Sequence, residues 1–182
     1  MIKFIENTSM KFIKILLLLI LFVSCAPIYV NYDYERGTDF ATYKTYNYYS
    51  DMETGLSVLD TKRLLDALDL KLKEKGFSLS DIPDFFIDIK STEFQSSQGQ
   101  TVGVGLGGGG GNVGGGISIG LPIGQANMNR QITIDFVDEN KKQLFWQAVS
   151  ESSFNLKATP EKREARLQAI VEKILTQYPP KK

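Results

Sequence analysis

Histidine is absent from this sequence, and cysteine occurs once, at Cys25. Without histidine there is no Ser-His-Asp or Cys-His catalytic arrangement and no histidine-ligated metal. With a single thiol there is no intrachain disulfide and no cysteine-based zinc site. Charge of one sign is also missing, because Lys+Arg and Asp+Glu each total 21. Removing residues 1 to 24 takes away Lys3, Lys11, Lys14 and Glu6, leaving 18 positive and 20 negative charges, a net of −2. A chain without a basic excess lacks the electrostatic footprint of phosphate-backbone binding, so nucleic acid is not an expected partner. Long apolar runs are lacking too. The uninterrupted stretch Ile15 to Val23 would cover only about 14 Å as a helix, roughly half of a bilayer's hydrocarbon core.

That short run has a different meaning. Lys11 and Lys14 precede it and Ser24-Cys25 follows, the order of a charged region, an apolar region and a small residue before a cleavage point. Leu21-Phe22-Val23-Ser24-Cys25 resembles a lipobox, with Phe22 where leucine is usual. The resemblance implies a signal peptide over residues 1–24, a diacylglycerol thioether and an acylated amino group on Cys25, and a short tether over 25–27. At roughly 0.8 kcal/mol per buried methylene, several acyl chains hold a protein where one does not. Met10 opens a signal of its own, which would make residues 1–9 an early-called start. No aspartate follows Cys25, which favours the outer membrane and its periplasmic face as the location.

The remainder, residues 28–180, reads as one α+β domain. Ile28, Val30, Tyr32 and Tyr34 alternate with Tyr29, Asn31 and Asp33 as a strand, closed by Glu35-Arg36-Gly37. A second strand is expected over Thr45 to Tyr49. Seven of the eight tyrosines lie between Tyr29 and Tyr49, as an aromatic platform or as cross-strand packing. From Ser57 to Lys75, the apolar residues Val58, Leu65, Leu68 and Leu72 predict an amphipathic helix, with Asp69 and Lys73 on its wet face and Gly76 as its stop. Further strands are expected over Phe85 to Lys90, Gln131 to Val137 and Leu144 to Ser152, the last two joined by a polar turn at residues 138–141. Thr159-Pro160 opens a second helix with Leu167, Ile170 and Ile174 as its buried stripe. The expected fold is an antiparallel or mixed sheet of about five to six strands with two amphipathic helices on one face.

A glycine-rich insertion at 99–125 interrupts this plan. Residues 103 to 124 contain twelve glycines. The run beginning at Gly103 satisfies G-x-G-x-x-G literally, but it lacks the following helix and the acidic residue about twenty positions on that a dinucleotide site needs. Glycines four apart resemble a membrane zipper, yet twelve of them oppose a helix by roughly 12 kcal/mol in water. Alternation of Val102, Val104 and Leu106, and of Ile117, Ile119, Leu121 and Ile123, favours a hairpin instead. No cofactor is expected.

Several motifs resemble those of the bacterial lipoproteins that carry domain of unknown function 4136. They are residues 33–40 (Asp-Tyr-Glu-Arg-Gly-Thr-Asp-Phe), Tyr43-Lys44-Thr45-Tyr46, Lys75-Gly76-Phe77, Pro83-Asp84-Phe85, Trp146, Pro160-Glu161-Lys162-Arg163 and Tyr178-Pro179-Pro180. The resemblance implies an envelope lipoprotein and brings no catalytic residues. Three roles follow as expectations. The first is a non-enzymatic binding or structural module, anchored to the membrane through Cys25, that meets another envelope component by a sheet edge or the glycine-rich hairpin. The second is a carrier of a lipid or small apolar ligand. The third is a carboxylate enzyme built on Asp135, Asp138 and Glu139, which would need two acids converging in one cleft.

Overall fold

A computed structural model describes residues 27–95 and 128–180. Cys25 and the expected glycine-rich hairpin lie outside the described residues. The elements in chain order are β1 (Ile28–Tyr34), a 3-10 turn (Phe40–Thr42), β2 (Thr45–Tyr48), α1 (Val58–Glu74), β3 (Ser78–Leu79), β4 (Phe85–Gln95), β5 (Met128–Asp138), β6 (Gln143–Phe154) and α2 (Pro160–Leu175). The six strands form one open, mixed sheet in the order β1-β6-β5-β4-β2-β3. β1, β6, β5 and β4 pair antiparallel with one another in that order, whereas β2 runs parallel to both β4 and β3. Parallel neighbours need a crossover, and α1 supplies it between β2 and the strands that follow.

Period-two alternation decides which face the helices cover. Along β5, Arg130, Ile132, Ile134, Phe136 and Asp138 are buried and the residues between them are half exposed. Phe85, Ile87 and Ile89 of β4 continue the same face. Leu64, Ala67, Leu68 and Leu72 of α1 and Leu167, Ile170, Val171, Ile174 and Leu175 of α2 close over it in one core. Each fully buried leucine or isoleucine contributes roughly 1.5–3 kcal/mol relative to exposure. In the β5–β6 hairpin, Phe136 pairs with Trp146 but Val137 pairs with Leu144, so Phe145 is one residue too many. This bulge lets the consecutive residues Phe145 and Trp146 both point into the core.

The caps follow the sequence closely. Ser57 accepts the Asp60 N–H at 3.2 Å, and Thr159 accepts the Lys162 N–H at 3.5 Å ahead of Pro160. At the end of α1, Phe77 N–H donates to Leu72 O and Gly76 N–H donates to Lys73 O, each at 3.0 Å. Gly76 at φ 89° gives this Schellman arrangement the left-handed residue it requires.

Two expectations for α1 are corrected. Val58, the first residue after the Ser57 cap, is 85% exposed rather than part of the buried stripe, which begins at Leu64 beyond the buried Asp60. Asp69 does not face water beside Lys73: it accepts the hydroxyls of Tyr46 and Tyr48 at 2.8 and 2.6 Å, which turns it toward β2. The strands also run longer than their alternation predicted, notably β4 to Gln95 and β5 from Met128, because pairing between them continues past their apolar segments. β3 has only two residues and left no periodic signal.

Candidate functional site

The three acids singled out as a carboxylate site do not converge. Asp138 lies on the core side of β5, accepting the Tyr43 hydroxyl at 2.7 Å and the Lys141 N–H at 2.9 Å. Burial raises its pKa, but these donors and the Lys141 ammonium outweigh that and hold the carboxyl below the usual range. Asp135, three residues earlier, falls on the opposite face, where Gln147 donates to it at 2.8 Å. Burial pushes its pKa up, Gln147 opposes this, and the facing Asp88 adds to it. Glu139 sits in the turn and pairs with Lys142. The alternation that puts Asp135 and Asp138 on opposite faces was readable from their odd spacing.

All but one of the motifs that carry the family resemblance meet at one end of the domain instead, the exception being Pro160-Glu161-Lys162-Arg163. β1 ends at Tyr34, and Gly37 at φ 87° turns the chain. Asp39 then caps the 3-10 turn, accepting from Ala41 N–H at 3.1 Å. This places the Phe40 ring against Tyr34, Phe145 and Tyr178 at centroid distances of 5.9, 6.1 and 5.6 Å. Tyr178 is buried and edge-on to Phe136 and Trp146, and its carbonyl accepts from Lys75 Nζ at 2.8 Å. Asp84 ties the second motif to the fourth: its Oδ2 accepts the N–H groups of Lys44 and Thr45, both at 2.8 Å. Burial opposes ionisation of Asp84, but those bonds and the Thr45 hydroxyl prevail and lower its pKa. A surface cleft of about 380 Å³ opens here, lined by Tyr34, residues 36–40 and Pro180.

Arg163 of the Pro160-Glu161-Lys162-Arg163 motif has a second task. Its Nη1 lies 2.9 Å from Oδ2 of Asp60, a side chain 1% exposed, which Arg63 also meets at 2.7 Å and Arg130 at 3.7 Å. Arg130 in turn stacks over Phe154 and pairs with Glu93 at 2.7 Å. One carboxylate thereby joins the starts of both helices to β5. Local sequence offers only the Asp60–Arg63 pair, three residues apart on α1, because Arg130 and Arg163 are distant in sequence.

The chain belongs to the DUF4136 family, a domain of unknown function. The match spans residues 30–180, from β1 to the end of the closing proline motif. No curated protein matches the chain in sequence. Among solved structures, a PDZ domain protein from Parabacteroides distasonis is similar at 17% identity and a TM-score of 0.51, covering 85% of this chain and 37% of that one. This chain therefore spans well under half of that protein. PelC from Paraburkholderia phytofirmans, described as a dodecamer, aligns at 8% identity in two crystal forms. Its TM-scores are 0.46 and 0.48, and the alignments cover 82% of this chain and 95 and 96% of PelC. The likeness at a TM-score of 0.51 speaks for the fold of the DUF4136 domain and for nothing finer.

The seven clustered tyrosines divide by role. Tyr43 and Tyr46 are buried, and burial, followed by hydrogen bonds to Asp138 and Asp69, raises their pKa values. Tyr48 behaves like Tyr46. Tyr29, Tyr32 and Tyr34 on β1 are 64, 41 and 37% exposed. Packing against the core accounts for the first group, Tyr49 stacks on Phe86 at 4.9 Å, and the β1 tyrosines are left on the surface at a sheet edge.

Proposed function

We propose that this DUF4136 chain is a bacterial envelope lipoprotein, cut before Cys25 and held by acyl chains on that cysteine at the periplasmic face of the outer membrane. It works there as a non-enzymatic binding or structural module, and its partners are the membrane itself and another envelope component. The observation that carries this reading is the position of β1. The strand begins at Ile28, three residues after Cys25, so a solvent-facing, tyrosine-bearing sheet edge stands within roughly 10 Å of the lipidated residue. An edge strand offers a row of peptide groups to an incoming segment, which is the simplest way for such a domain to engage a protein. The separation of Asp135 from Asp138 supports the non-enzymatic part of the reading.

Intact-mass measurement of the mature chain from native membranes tests the anchor, together with fractionation of Cys25→Ser. Acyl mass on Cys25 and release of the variant from membranes are the expected results; an unacylated natural product would sink the tether. A second reading, a carrier for a lipid or small apolar ligand, draws on the cleft beside Tyr34, Phe40 and Pro180. Lipid co-purifying with the parent but not with Phe40→Asp would favour it, and empty protein would count against it.

A further inference from the structure

The two edges of the sheet are unequal. β3 ends one side after two residues, which gives an incoming strand almost nothing to pair with. β1 ends the other side with seven residues, Ile-Tyr-Val-Asn-Tyr-Asp-Tyr, containing no lysine, proline or bulge. Those are the usual devices that blunt an edge.

The direction of its peptide groups can be read from three bonds. Glu35 N–H donates to Phe145 O at 3.0 Å, so odd-numbered residues of β1 bond to β6. Even-numbered residues face away, and the side chains agree: Lys173 Nζ donates to Ile28 O, and Tyr34 N–H is taken by Asp33 Oδ1 at 2.8 Å. One group at each end of the outward row, the Ile28 carbonyl and the Tyr34 N–H, is thus occupied from within the chain. Val30 and Tyr32 remain in the middle, with both N–H and C=O turned outward and no strand on that side among the described residues.

We propose that this edge pairs with β1 of a second copy of the same chain, antiparallel and centred on Asn31. Around that two-fold axis Val30 faces Tyr32 of the second copy and the reverse, so the four outward N–H and four outward C=O groups of the two chains make four hydrogen bonds. Charge fits this register: Asp33 falls opposite Tyr29 of the other copy, keeping the two carboxylates apart. The occupied Ile28 carbonyl and Tyr34 N–H fall opposite each other, so in this register the groups already taken would have bonded only to one another. The two sheets become one continuous twelve-stranded sheet. This rests on the edge-pairing part of the proposed function, naming a second copy as the occupant of β1 so that another envelope component would bind elsewhere, and it does not depend on the lipid.

Cysteine crosslinking of the full chain in cells tests the proposal. Asn31 of each copy forms a non-hydrogen-bonded pair with Cα atoms about 4.5 Å apart, within disulfide reach. Tyr29 of each copy lies about 14 Å from its counterpart along the strands. Under mild oxidation Asn31→Cys should give at least about tenfold more covalent dimer than Tyr29→Cys or the parent, whose only cysteine is Cys25. Adding Tyr32→Lys, which sets two lysines diagonally across the axis, should remove most of that product while leaving the thermal midpoint near the parent's. The proposal is overturned if Asn31→Cys crosslinks no better than Tyr29→Cys, if the parent dimerises equally through Cys25, or if Tyr32→Lys leaves the yield unchanged.

Discussion

Replacing Asp60 by alanine should be the most damaging single change among the charged side chains. The carboxylate is 1% exposed and meets three guanidinium groups at 2.7, 2.9 and 3.7 Å. Its removal leaves Arg130, itself only 8% exposed, facing Arg63 and Arg163 with Glu93 as its remaining counterion. Breaking a buried ion pair from one side costs about 3–5 kcal/mol. Arg63 and Arg163 are 20 and 25% exposed and regain some water, which argues for the lower end, about 3 kcal/mol. For a domain of this size that is a fall in Tm of roughly 6–12 °C. Asp66→Ala is the internal control: Asp66 pairs with Lys62 at 2.7 Å, but both side chains are more than half exposed, so its loss should be about 0.5 kcal/mol or less. Urea unfolding followed through Trp146, the sole tryptophan and fully buried, reads both variants. A loss below about 1 kcal/mol for Asp60→Ala, or one equal to that of Asp66→Ala, would refute the view that this carboxylate holds the helix starts to the sheet.

Three further outcomes follow from the same structure. Gly55→Ala should destabilise by about 2–3 kcal/mol, because φ is +70° and a Cβ would sit 2.6 Å from the Ser91 carbonyl; Gly76→Ala, at φ +89° with open space around it, should cost only about 1 kcal/mol in the same denaturation assay. Tyr43, Tyr46, Tyr48 and Tyr178 all have raised pKa values, first through burial, so the folded state keeps protons that the unfolded state gives up. Their stabilising contribution is complete below the unfolded value near 10 and falls above it by about 1.4 kcal/mol per pH unit for each group. Phenolate absorbance of these four should therefore appear together with alkaline unfolding rather than before it. Asp135→Asn should raise stability at neutral pH, since burial raises the Asp135 pKa and ionisation opposes folding there; the gain should vanish once pH falls below the unfolded carboxylate value near 4, and a loss at neutral pH would contradict the reading.

The sequence by itself determined the elements that report on their own surroundings. Both helices were legible from capping residues and apolar spacing, and the β5–β6 hairpin from alternation around a polar turn, because capping and amphipathicity act over one or two turns of chain. Family membership was legible too, as runs of residues whose types recur together. What only the tertiary structure decided rests on residues far apart: the parallel placement of β2 beside β4, the turning of Asp69 toward two tyrosines, and the approach of Arg130 and Arg163 to Asp60. β1 makes the distinction plainest. Its alternation marked a strand, but whether that strand lay inside the sheet or at its edge depended on how the others closed around it. Period-two patterning records which face a side chain takes, whereas the outward turn of the Val30 and Tyr32 peptide groups is set by the neighbour across the sheet and leaves no trace in residue type.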